Sequence, residues 1–86
     1  MDYMTKKRIE KQIQQRIYDL VQITHEKYRD LGPLQGTMIV LAINEFKDEL
    51  LSDTSPLYNS LGSTKEEIAA WIEELFKEEI NKYVKL

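Results

Sequence analysis

Few residues in this chain have the type and spacing that chemistry needs. One histidine, His25, stands beside Glu26 with Thr24 and Tyr28 close by. A helical histidine next to a carboxylate is equipped to act as a base or a metal ligand. A single imidazole does not make a metal site, however, and the chain has no Cys to supply a thiolate or a nucleophile. Glu66, Glu67, Glu73, Glu74, Glu78 and Glu79 invite comparison with the di-metal sites of helical bundles. Such sites use inward-facing Glu-x-x-His pairs, and no such pair is present. Five of the six fall on or beside a polar face, while Glu79 borders an apolar stripe. No Ser, Thr or Tyr has a His and an acid at nucleophile spacing, and three Gly leave no glycine-rich phosphate loop. The expectation is a protein that is not an enzyme and has neither cofactor nor metal.

Charge is the one functional asymmetry. Lys6, Lys7, Arg8, Lys11 and Arg16 against Asp2 and Glu10 give residues 1–16 a local charge of +3, whereas residues 66–79 carry −5. Lys7, Arg8, Lys11 and Gln15 share one helical face, an arrangement suited to successive phosphates or to another anionic partner. Gln14 and Gln15 are of the type that reads base edges in a major groove. The overall charge of −3 opposes bulk attraction to nucleic acid or anionic lipid. A nucleic-acid regulator using the first segment is therefore the alternative reading. Of the five Tyr, Tyr18, near the basic face, and Tyr58, in the connection before the last segment, are the candidate interface aromatics.

The elements that must position these groups follow from apolar spacing. Ile9, Ile13, Ile17, Leu20, Thr24, Tyr28 and Leu31 recur every three or four residues, which predicts a long amphipathic helix over about residues 3–30. Gly32 suits a left-handed stop, Pro33 prevents propagation, and Gly36 belongs to the same break. A second helix is expected from residue 34 or 38 to about 51, with Thr37 as a candidate N-cap. Its start, residues 38–43, is apolar on every side, as in a buried helix. Ser55-Pro56 and Gly62 bracket a short helical turn expected to fold Leu57 and Leu61 onto the core. The last helix opens with a capping box, Ser63 to Glu66. It carries Ile68, Trp71, Ile72, Leu75, Phe76, Ile80, Tyr83 and Val84 on one stripe, with Glu73–Lys77 and Glu78–Lys82 as supporting ion pairs.

A single all-α domain over residues 1–86 results, with three long helices and one short turn. The all-round apolar start of the middle helix needs more cover than two neighbours give. Either the 53–62 connection closes over the remaining face, giving a compact monomer, or a second chain does; the expectation is a homodimer, with Met38, Ile39, Val40, Ile43 and Phe46 at the self-association surface. Residues 1–10 lack the apolar stretch of a secretory signal. The longest apolar run, residues 38–43, falls far short of the ~20 residues of a membrane span. A cytoplasmic protein with no membrane partner is expected. No motif identifies a family. The size and helical pattern are shared by bacteriocin immunity proteins, phage-encoded regulators and antitoxins, a likeness of class that carries no function. The sequence thus reads as a small interaction or regulatory module of bacterial or phage type, with a protein partner.

Overall fold

The computed structural model describes residues 2–53 and 61–84. Among these the fold is all-α: helices α1 (Tyr3–Lys27), α2 (Leu34–Ser52) and α3 (Lys65–Tyr83), with no strand. The particle is elongated, 44 × 21 × 21 Å, as expected from a 25-residue helix that spans roughly 37 Å. No helix among the described residues is long and apolar enough to cross a membrane.

Asp2 starts α1 in an extended conformation, its carboxylate accepting from the Met4 amide at 3.2 Å and from the Thr5 hydroxyl. These bonds, the Thr5 hydroxyl foremost, lower the Asp2 pKa below its ordinary value. Ile13, Ile17, Val21 and Thr24 are the buried row of α1. The expected stripe held at Ile13, Ile17 and Thr24 but included Leu20, which is only half-buried and lies off this row, in place of Val21, and it erred at Leu31, which is 43% exposed. The cause is an earlier helix end. The α-helix stops at Lys27, and a 3₁₀ turn, Arg29–Leu31, swings Leu31 outward. Gly32, at φ +58°, then reverses the chain, in a region that L side chains rarely adopt.

The second helix begins at once after Pro33, so Gly36 and Thr37 lie inside it. Thr37 is therefore not the N-cap. The first turn is held instead by the Gln35 side chain, which donates to the His25 carbonyl at 2.9 Å and ties α2 to the end of α1. At the start of α3, Gly62 has φ +64° and Thr64 is the cap. The Thr64 hydroxyl accepts from the Glu67 amide and donates to the Glu67 carboxylate, both at 3.2 Å. The capping pair is thus one residue later than Ser63 and Glu66, because Ser63 turns its hydroxyl back to the Leu61 carbonyl.

α2 packs on both other helices, and α1 also meets α3. Ile17 from α1, Ile43 from α2, and Ile68, Ile72 and Phe76 from α3 are almost fully buried. Phe46 meets Phe76 edge to face, with centroids 5.5 Å apart. Leu61 joins this core as expected. Ser55, Pro56, Leu57 and the short turn they were expected to form lie outside the described residues. Glu73 pairs across helices with Lys47 at 3.2 Å rather than with Lys77, and Lys82 pairs with Glu79 rather than with Glu78.

Core position, not hydrophobicity, decides the cost of a truncation here. Ile43→Ala is expected to cost about 2–5 kcal/mol, and Ile39→Asp, which buries an unpaired charge, is expected to prevent folding. Met4→Ala, at a side chain 70% exposed, should change stability by less than about 0.5 kcal/mol. Urea unfolding monitored by circular dichroism separates the three.

Candidate functional site

Two features are not explained by the three-helix core alone: an apolar face left open beside α1 and α2, and a carboxylate buried between α1 and α3.

The open face follows from spacing. On α2, Leu34, Met38, Leu41 and Glu45 recur at four, three and four residues. On α1, Arg16, Leu20, Ile23 and Lys27 do the same. Each set forms one row, offset from the row that enters the core. The rows line a continuous groove. One part, of about 240 Å³, lies among Ile23, Thr24, Lys27, Tyr28, Met38, Leu41, Ala42 and Glu45. The groove continues past Ala42 and Glu45 to Arg16, Leu20 and Glu49. Leu41 is also the wall of a second hollow, shared with Gly36, Thr37, Val40 and Val84. A Cβ added to Gly36 would meet nothing within 4 Å, so that hollow is open where the glycine stands. Ile23 is 61% exposed, Leu34 59% and Leu41 50%. Scattered apolar side chains are ordinary on a surface, but Ile23 and Leu41 line the same groove.

The expected self-association residues divide under this geometry. Ile39 and Ile43 are core residues, 7% and 0% exposed, so they are covered within the protomer and offer no contact surface. Phe46 is half-buried against Phe76. Met38 and Val40, also half-buried, reach the groove and the adjoining hollow respectively. The exposed residues Ile23, Leu34 and Leu41 were missed, although Ile23 carried a signal as an isoleucine lying off the core stripe of its helix.

Glu79 is 2% exposed. Its Oε1 accepts from the Gln14 side-chain amide at 2.9 Å and from the Lys82 ammonium at 2.8 Å. Gln14 therefore faces α3 and is not available to read base edges. The Glu79 hydrogen bond holds Lys82 protonated to a higher pH than usual, and burial raises the Tyr83 pKa, helped by the Glu79 charge. A second polar link sits farther along the same seam. The Trp71 indole N–H donates to Glu10 at 3.0 Å, with the Lys6 ammonium 5.7 Å from the indole centroid and Lys7 3.5 Å from Glu10. These contacts fasten α1 to α3. The other five glutamates of α3 are exposed.

Among the described residues no cluster of three or more His, Asp or Glu is placed to hold a metal. His25 is exposed, and its carbonyl serves the Gln35 contact. Lys7, Arg8 and Lys11 do come together around a shallow hollow with Met4. Gln15 instead donates to Asp19 at 3.0 Å. Tyr18 is 48% exposed, and Tyr58 lies outside the described residues. No protein-family model, curated protein or solved structure matches this chain.

Removing the buried carboxylate tests the α1–α3 seam. Glu79→Ala leaves Gln14 without its acceptor and should cost about 1–3 kcal/mol. Glu79→Gln, which keeps an acceptor, should cost less. The folded-state pKa values of Lys82 and Tyr83 are both raised, so their contributions are complete below the ordinary values of 10.5 and 10.0 and are lost as pH rises through the higher folded values. Chemical unfolding from pH 8 to 12 should show stability falling above about pH 10, with a shallower fall for Tyr83→Phe.

Proposed function

We propose that the protein is a non-enzymatic interaction or regulatory module, homodimeric, whose working surface is the open face of the α1–α2 hairpin. The observation that carries this reading is the strip of exposed Ile23, Leu34 and Leu41 beside a groove that α3 does not cover. Apolar residues at helical spacing on two adjacent helices suit a helical partner, whose side chains fill the groove between them. Burial of these side chains supplies the attraction, at about 25 cal/mol per Å² of apolar surface removed from water, and the charged residues at its margins set orientation. The homodimer expected from the sequence is retained, but its contact moves from Ile39 and Ile43 to this outer row.

A second reading, nucleic-acid binding by the basic end of α1, is favoured by the convergence of Lys7, Arg8 and Lys11 around one hollow. Lys7 is partly neutralised there by Glu10 at 3.5 Å, and Gln15 is engaged with Asp19. The docking reading accounts for more of the unusual surface.

Light scattering on size-exclusion fractions should give twice the 10.2 kDa chain mass for the wild type and the single-chain mass for Leu41→Glu, with unchanged helical circular dichroism. A Leu41→Glu dimer as stable as the wild type would refute the proposed face. Mobility-shift assays with duplex DNA should show no complex at moderate salt. A complex that weakens steeply with salt and is lost on Lys7→Glu, Arg8→Glu and Lys11→Glu would establish the second reading instead.

A further inference from the structure

One face of α1 has no part in the core, in the seam with α3 or in the groove beside α2. Met4, Lys7, Arg8, Lys11, Gln15 and Tyr18 recur at steps of three and four residues and are all exposed, so they form one outer stripe of the helix. At about 100° per residue, the stripe lies about 140° around α1 from the row that lines the groove. Met4, Lys7, Arg8 and Lys11 surround one hollow of about 240 Å³. The stripe itself carries no carboxylate. Its acidic neighbours are engaged: Glu10 accepts from the Trp71 indole and lies 3.5 Å from Lys7, and Asp19 accepts from Gln15. Arg8 and Lys11 form no ion pair among the described residues. Tyr3 and Met4, at the same end, are 66% and 70% exposed, more than any other large apolar side chain among the described residues. The Tyr3 ring centroid is 5.6 Å from the Lys7 ammonium.

Clustered cations call for an anionic partner, and the apolar side chains beside them narrow its chemistry. A phosphate backbone matches the cations but offers Met4 nothing apolar to enter. The interface of an anionic bilayer offers both, with charged headgroups for Lys7, Arg8 and Lys11 and an acyl boundary just beneath them for Met4. Tyrosine rings suit the headgroup level, where Tyr3 and Tyr18 would stand. We propose that this face of α1 lies on an anionic lipid leaflet, with its cations among the headgroups and Met4 dipping below them. No helix among the described residues is long and apolar enough to cross a membrane, but lying on a leaflet needs neither a long apolar run nor a positive total charge. The field of the leaflet fades within a Debye length of about 8–10 Å, so the charge of the face turned toward it counts for more than the total of −3. The −5 of residues 66–79 belongs to α3, a different helix of a particle 21 Å across. Three cations make the contact reversible and sensitive to salt.

The test is co-sedimentation of the full chain with vesicles of phosphatidylcholine, alone or with one-third phosphatidylglycerol, and circular dichroism to show that each variant is folded. The wild type should bind the anionic vesicles at low salt, leave the neutral ones, and be released at about 0.5 M salt. Arg8→Gln and Lys11→Gln should each weaken binding about 5-fold. Because the chain has no Cys, a polarity-sensitive dye on Met4→Cys reports the depth of this face. Its emission should shift to the blue on anionic vesicles, whereas the same dye on Glu74→Cys, exposed on α3, should not respond. A wild type that ignores anionic vesicles at low salt would overturn the proposal, as would binding that neither charge removal weakens. A bound protein whose dye at position 4 stays in water, or responds no more than the dye at position 74, would overturn the seating of this face. Duplex DNA held at a salt where anionic vesicles are not, and lost on the same two substitutions, would replace the leaflet with a phosphate backbone. None of these outcomes bears on the dimer, whose contact is the other face of α1.

Discussion

A helix with apolar side chains on every side needs neighbours on every side, and α2 has two. The rotation of about 100° per residue sends Ile39 and Ile43 toward α1 and α3, where they are nearly sealed from water. The same geometry sends Leu34 and Leu41 the other way, so no rotation of the helix buries both sets at once. Covering one face well leaves the other open. The rest of the molecule follows from that constraint, including the groove beside α1 and the exposure of Ile23 across it.

The polar contacts fix which face stays open. Glu79 holds Gln14, Trp71 holds Glu10, and Lys47 holds Glu73, so α3 is fastened to α1 along one seam and to α2 along another. A buried carboxylate is costly unless its bonds are satisfied. The Glu79 contacts therefore disfavour sliding of α3 toward the open groove, because a shift of one turn would strand that charge. On the far side, the Gln35 bond to the His25 carbonyl holds the hairpin ends together. The outer rows of α1 and α2 are thereby held side by side.

The helices were legible in the sequence because their periodicity is strong, and so was the surplus of apolar surface on the middle one. Its direction was not. A helical wheel shows that residues 38–43 point every way, but only the positions of α1 and α3 decide that Ile39 turns inward and Leu41 outward. Local rules failed where long-range contacts overrode them. Gly36 inside a helix has a conformational cost of roughly 1 kcal/mol, and it reads as a break until the Gln35 contact anchors the preceding turn. Glu79 looked like a margin residue because its partner Gln14 lies 65 positions away in the chain. Leu31 was read as core because a regular helix was extended past Lys27, where the chain turns into a 3₁₀ segment.

The central claim is that the open face of the hairpin is covered by a second copy, with Leu41 inside the contact. Because the chain has no Cys, a single cysteine reports this directly. Leu41→Cys under mild oxidation should form a disulfide-linked dimer rapidly at micromolar concentration, while a cysteine at exposed Glu66, on α3 and away from the groove, should cross-link slowly. Equal, slow cross-linking at both positions would contradict the claim.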